Sequence, residues 1–216
     1  MILKVNDLGK KIESNKIFLF HGVNDGHKEE ILQNIFNPKF GKNILKYFEN
    51  DILSNINNFY NEILSKSFFE ENKLIIVKDV TDKLKNEIEI LKEKKLDDVI
   101  IILISNILEK KSKLRNLFEK EKNLVSVAFY SDNNQTLSAI VRSFFSKIRI
   151  SVSQESVNLI INRANGERKN LINELEKIQN YLSNKDKINI DEIYSLTNLS
   201  ENYNISELVD NCLAKN

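Results

Sequence analysis

Short apolar runs alternate with amphipathic stretches through the first 130 residues, and this alternation predicts a parallel sheet clad in helices. Ile17-Phe18-Leu19-Phe20-His21, closed by Gly22, reads as a strand, as do Asn43 to Phe48, Lys73 to Val77, Val99 to Ile104 and Leu124 to Phe129. These runs lack polar alternation, the mark of strands buried on both faces. Between them the spacing is helical. Asp25 to Phe36 carries Ile31, Leu32 and Ile35 on one side, and Asn37-Pro38 should stop it, because the residue before a proline avoids the α region. Asp51 is expected to cap a helix that aligns Leu53, Ile56, Phe59, Tyr60, Ile63 and Leu64. Lys83 to Lys94 and Lys111 to Lys122 are further helices, the second with Leu114, Leu117 and Phe118 facing inward.

The strand signal ends at Tyr130. Ser131-Asp132-Asn133-Asn134 is polar and predicts a domain boundary. Beyond it only helical spacing recurs, over Gln135–Lys147, Gln154–Asn165, Arg168–Leu182 and Asp191–Leu196. The expected organisation is an α/β parallel-sheet domain over 1–131, a small helical bundle acting as a lid domain over 132–198, and the start of a further helical domain over 199–216. An α/β sheet followed by a helical lid is the general plan of AAA+ nucleotide-dependent machines.

Composition narrows the picture modestly. The 216 residues are 41% hydrophobic and 29% charged, with a net charge of +1, so nothing demands nucleic acid as a partner. Lys, Asn and Ile are abundant, which fits AT-rich codon usage and argues against reading every Lys cluster as a patch. A single cysteine, Cys212, excludes an internal disulfide framework. The stretch Met1 to Asp7 has no signal-peptide core, and the longest apolar run, Val99 to Ile104, is too short to span a bilayer. A cytoplasmic protein is expected.

The first strand–turn–helix junction is where a phosphate-binding loop would lie. Such a loop needs two glycines with four residues between them, then Lys and a hydroxyl, so that backbone amides cradle phosphate and the hydroxyl holds Mg²⁺. The chain reads Gly22-Val23-Asn24-Asp25-Gly26-His27-Lys28-Glu29. The second glycine comes one residue early, His27 separates it from Lys28, and Glu29 replaces the hydroxyl. Gly22, Gly26 and Lys28 therefore form a degenerate loop, and a plain structural turn is the favoured reading. No acidic pair follows a strand to hold metal and water: Val80 and Thr81 follow Asp79, which reads as a turn residue. Ser105-Asn106 could mimic a phosphate sensor, although a turn fits it better. His21 and His27 do not make a metal site with one distant cysteine. No catalytic constellation and no cofactor are expected.

Ser65-Lys66-Ser67-Phe68-Phe69 stands apart. Neighbouring residues on a helix point about 100° apart and alternate faces in a strand, so at least one ring should be poorly buried. Ordinary packing of one ring is the plain alternative; a partner's pocket is the functional one.

Taken in order, these segments resemble the delta subunit of the bacterial DNA polymerase III clamp loader. The likeness rests on the opening strand Ile17 to Gly22 with its degenerate loop, and on Ser67-Phe68-Phe69 before Lys73-Leu74-Ile75-Ile76-Val77. It extends to Gly166 followed by Leu171-Ile172-Asn173-Glu174-Leu175-Glu176-Lys177-Ile178, then Ile190-Asp191-Glu192-Ile193, and Ile205-Ser206-Glu207-Leu208-Val209-Asp210 at the opening of a third domain. The resemblance implies a subunit of the polymerase III holoenzyme, a nucleotidyltransferase complex, with no catalysis of its own. Such a subunit binds the sliding clamp (beta), favours one opened interface, and works beside delta prime and gamma/tau to load the ring on primed DNA. The clamp contact would be Phe68 and Phe69, led in by Ser65, Lys66 and Ser67, with Phe where the family often has Leu. Family members continue into a helical collar, so a piece of a longer product, or a truncated protein, is expected. An active ATPase with an atypical loop and a helical interaction module are the alternatives. Within the second domain, Leu171, Leu175 and Ile178 are expected in the core, Glu174, Glu176 and Lys177 on a solvated face. Arg142, Lys147 and Arg149 are expected to be charged surface.

Overall fold

The computed structural model describes residues 1–12, 14–64, 72–96, 98–197 and 212–213. Six parallel strands form one sheet: β1 (Ile2–Leu3), β2 (Ile17–Gly22), β3 (Ile44–Phe48), β4 (Lys73–Lys78), β5 (Val99–Ile104) and β6 (Leu124–Phe129). Their order is β1-β6-β2-β5-β4-β3. From β2 the chain runs to the β3 edge, returns through β4 and β5, then crosses to β6 on the other side of β2. The strand order thus reverses at β2, and the crevice at such a reversal is where ligands bind in open α/β sheets.

Alternate residues of each strand enter two separate apolar layers. Ile17, Leu19, Ile75, Val77, Ile101 and Leu103 face α3 (Glu49–Ser54), α4 (Ile56–Leu64), α5 (Lys85–Leu91) and α6 (Lys113–Lys120), which contribute Ile52, Phe59, Ile88 and Leu114. Phe18, Phe20, Leu74, Ile76, Ile102 and Val127 face the opposite way. They meet Leu8 of a 3₁₀ turn (Val5–Lys10), with Leu32, Phe36 and Phe40. Burial on both faces is why β2, β4, β5 and β6 show no polar alternation in sequence, while β3, at the sheet edge, leaves Lys46 and Phe48 exposed.

Three local expectations need correction. The helix after β2 does not stop at Asn37-Pro38. It runs as α1 (Asp25–Ile31), a π-helical turn (Leu32–Phe36) and α2 (Asn37–Phe40). The wider turn lets the Asn37 amide reach Leu32 O, and Pro38 falls in the first turn of α2, where its missing N–H is no loss. Asp51 is not an N-cap: Phe48 holds that place, and its amide donates to Asp51 Oδ2 at 3.0 Å. The expected single helix is also two, broken at Asn55, whose side chain accepts from the Asn58 amide at 3.2 Å to open α4. β1 is not visible in the sequence pattern at all, since two residues carry no period.

The chain divides into two units, Met1–Tyr130 and Ser131–Asn216. The second holds α7 (Asn134–Lys147), α8 (Gln154–Arg163), α9 (Arg168–Tyr181) and α10 (Ile190–Leu196). Asn133, Ser153 and Asn189 cap α7, α8 and α10 through side-chain acceptors. Leu137, Val141, Phe145, Val157, Ile160, Leu171, Leu175, Ile178 and Ile193 make its core. Within this unit Arg168 grips Asp132 through two hydrogen bonds of 2.8 and 2.5 Å, both side chains buried. Among the described residues no helix is long and apolar enough to cross a membrane.

Candidate functional site at the carboxyl edge of the sheet

Gly22 closes β2 with φ of +123°, and a Cβ there would lie 2.2 Å from the Phe129 carbonyl oxygen. Only glycine lets the ends of β2 and β6 approach this closely. The Gly22 amide donates to Asn106 O at 3.0 Å, joining the turn after β5 to the same junction. Asn24 then starts α1: its Oδ1 accepts from the His27 amide at 3.0 Å, and its Nδ2 donates to Tyr130 O at 2.9 Å. Gly26 is buried in the first turn.

Lys28 is the centre of this arrangement. It is 2% exposed, and its ammonium donates to Gly22 O at 2.7 Å, Ser105 O at 2.8 Å and Asp25 Oδ1 at 2.8 Å. An ammonium has three protons, and here each has a protein acceptor. The group that a phosphate loop aims at its ligand is turned inward to pin the ends of β2, β5 and α1 together. Glu29, where a Mg²⁺-binding hydroxyl would stand, is exposed.

The neighbouring strand ends are likewise closed. Asp79 leaves β4 in a left-handed turn, φ +57°, as a turn residue should. A carboxylate does reach this edge, but from the next strand: buried Glu49 accepts from the Thr81 amide at 2.7 Å and from Thr81 Oγ1 at 3.0 and 2.9 Å. Sequence reasoning missed Glu49, whose only signal is its place directly after an apolar run. The Ser105 hydroxyl donates to Val80 O at 2.6 Å and its amide to Phe20 O at 2.9 Å, so the residue considered as a sensor stitches β5 to its neighbours. His21 lies buried beside these groups. Desolvation first, then the charge of Arg115, lower its pKa from 6.5 to about 4; Glu119 pulls the other way and Lys28 adds the least, so the ring is neutral. What this edge can do chemically is hold itself shut: each of these polar groups answers another.

Elsewhere, Ser65, Lys66, Ser67, Phe68 and Phe69 lie outside the described residues. Their flanks are tied, since Lys73 Nζ at the start of β4 donates to Glu62 O in α4 at 2.8 Å. The Ile205–Asp210 stretch also lies outside the described residues. In the helical unit Leu171, Leu175 and Ile178 are core, whereas Glu174 is not on a solvated face. It is buried, bonded to Lys177 Nζ at 2.8 Å through Oε1, because it falls on the same stripe of α9 as Leu171 and Ile178. Arg142 bonds Gln154, and Lys147 and Arg149 are exposed. Among the described residues no three His, Cys, Asp or Glu side chains gather to hold a metal ion.

No protein-family model matches the sequence, and no curated protein matches it. Solved structures do. The chain is similar to a DNA clamp loader delta protein of Bacillus subtilis, with 16% identity and a TM-score of 0.59, over 95% of this chain and 66% of that one. It is also similar to the RuvB Holliday junction branch migration motor of Thermotoga maritima, with 14% identity and a TM-score of 0.55, over 89% of this chain and 64% of that one. A single-site variant of that RuvB gives 13% identity, a TM-score of 0.57 and the same coverage, 89% and 64%. The chain thus spans just under two thirds of the length of these solved chains. At such identities the likeness establishes the fold, which is α/β and AAA+-like, and a clamp loader delta protein is among the chains that share it.

Proposed function

We propose that this chain is a delta-type clamp loader subunit that binds the sliding clamp and helps open it for loading on primed DNA, without hydrolysing ATP. The observation that carries the reading is the internal use of the Lys28 ammonium. A sheet of the nucleotide-binding type has its one loop cation bonded to Gly22 O, Ser105 O and Asp25, with Glu49 and Ser105 similarly engaged beside it. Such an edge suits a subunit whose work is mechanical. The clamp contact is Phe68 with Phe69, led in by Ser65, Lys66 and Ser67; aromatic anchors of this kind commonly contribute ~2 kcal/mol or more at an interface. The partners are the clamp (beta), delta prime and gamma/tau, with primed DNA met through the complex.

Surface plasmon resonance against the bacterial sliding clamp tests this. Phe68→Ala with Phe69→Ala should weaken binding by about tenfold or more, ~1.4 kcal/mol, with little change in melting temperature. A large loss of stability would place the rings in the core instead. No ATP turnover above background is expected. Turnover abolished by Lys28→Ala in a variant that stays folded would establish an active ATPase, and clamp binding lost on deleting Asp132–Asn216 would move the contact to the helical unit.

A further inference from the structure

The helical unit carries a cleft of about 450 Å³ whose lining includes Ile148, Arg149, Ile150, Leu182, Lys185 and Asp186. That volume lies within the range of ligand sites, roughly 300–1,000 Å³. The side chains of Arg149 and Asp186 make no hydrogen bond or ion pair among the described residues, although both line this cleft. These two opposite charges, exposed on one cleft and answered by no side chain among the described residues, are open to a ligand. Lys185 is different: its ammonium is bonded to Glu192 at 3.0 Å and to the Tyr181 hydroxyl, and it lies over the Tyr181 ring. Ile148, Ile150 and Leu182 supply aliphatic lining.

Arg149 is held there at a conformational cost. It follows α7 with φ of +58°, and the chain closes behind it through Ile150 N–H to Phe145 O at 3.0 Å and Arg149 N–H to Ser146 O at 3.1 Å. Glycine is the usual residue at this position of such a helix end. An arginine in its place adopts a conformation that its own backbone disfavours.

We infer that this cleft binds a short peptide segment of a partner protein in which an acidic side chain adjoins an aliphatic one. The carboxylate pairs with Arg149 as a two-pronged salt bridge. The aliphatic side chain rests on Ile148, Ile150 and Leu182, and Asp186 accepts a peptide N–H. Nucleic acid fits less well. A polyanion meets, among the described lining residues, one unanswered cation and an acid on the same rim, and that aliphatic lining lacks the aromatic platform on which bases stack. The site lies wholly within the helical unit and does not depend on the clamp contact.

The test uses the full chain, ¹⁵N-labelled, titrated with the capped tripeptide Ac-Glu-Leu-Ile-NH₂, its Gln-for-Glu analogue, and a ten-residue oligo-dT. The Glu peptide should shift the amides of residues 148–150 and 182–186, and the Gln analogue should bind at least fivefold more weakly. Arg149→Gly should remove the same fivefold while melting no lower than the parent, because glycine suits the left-handed turn. Equal affinity of the two peptides, unchanged binding by Arg149→Gly, or shifts produced by oligo-dT but not by the Glu peptide would overturn the assignment.

Discussion

Replacing Lys28 with Met keeps the aliphatic stem and deletes the ammonium, so it isolates what the three hydrogen bonds contribute. The bond to Asp25 counts for little, since that carboxylate is 68% exposed and water replaces its partner. The other two acceptors, Gly22 O and Ser105 O, lie at the closed ends of β2 and β5. A hydrogen bond from a charged donor is worth about 1.5–3 kcal/mol net, and a buried acceptor left bare costs a similar amount. Two such bonds would set a loss of about 3–6 kcal/mol. Relief from burying the ammonium offsets part of it, because a nearly inaccessible cation carries its own desolvation penalty. The expected loss is therefore ~3 kcal/mol, or roughly 6–12 °C in melting temperature for a chain of this size. Urea denaturation followed by far-UV circular dichroism reads the first figure. Amide exchange across β2 shows whether the loss is local to the junction. A destabilisation below about 1 kcal/mol, together with loss of measurable ATP binding, would refute the reasoning. The lysine would then be a ligand group and not a pin.

Two further predictions concern the same edge. The His21 pKa in the folded chain, about 4, lies below the ordinary 6.5, so the folded state binds fewer protons. Stability is then complete above pH 6.5 and falls as pH drops toward 4, by ~2 kcal/mol after allowance for residual solvent screening. Denaturation at pH 7 and pH 4.5 should show this extra loss in the parent and not in His21→Gln; parallel pH profiles would remove His21 from the account. Gly22→Ala forces a side chain into the left-handed region and onto Phe129 O, and should cost more than ~3 kcal/mol, read as loss of the folded fraction. A variant within about 1 kcal/mol of the parent would mean that the β2–β6 junction relaxes freely.

Strands β2, β4, β5 and β6 were legible because burial on both faces forces an apolar run, whereas the edge strand β3 carries Lys46 and leaves Phe48 exposed. Helix ends were less legible, for two physical reasons. At Pro38 the rule that proline stops a helix holds for a regular α-turn, and the π-turn Leu32–Phe36 changes the geometry on which it rests. At Asp51 the residue type was right for a helix start but its partner, the Phe48 amide, places it three positions inside. Glu174 misleads when charge is weighed above position. On α9 it shares a stripe with Leu171 and Ile178, and the fold buries that stripe whatever stands on it.

The candidate site shows where sequence reading stops. Spacing alone reveals that Gly22 to Glu29 departs from the phosphate-loop pattern, since the missing hydroxyl and the misplaced glycine are local facts. It could not reveal what Lys28 does instead, because its acceptors are backbone carbonyls at residues 22 and 105, and carbonyls leave no trace in composition. Glu49 is hidden in the same way, its partner Thr81 lying on the far side of β4. Both side chains perform one task at the carboxyl edge: Lys28 joins the ends of β2 and β5, and Glu49 joins the start of α3 to the turn after β4. An edge held by its own side chains cannot be loosened by losing a ligand. If Lys28→Met and Gly22→Ala both destabilise as expected, contacts within the chain are what hold the ends of β2, β5 and β6 together.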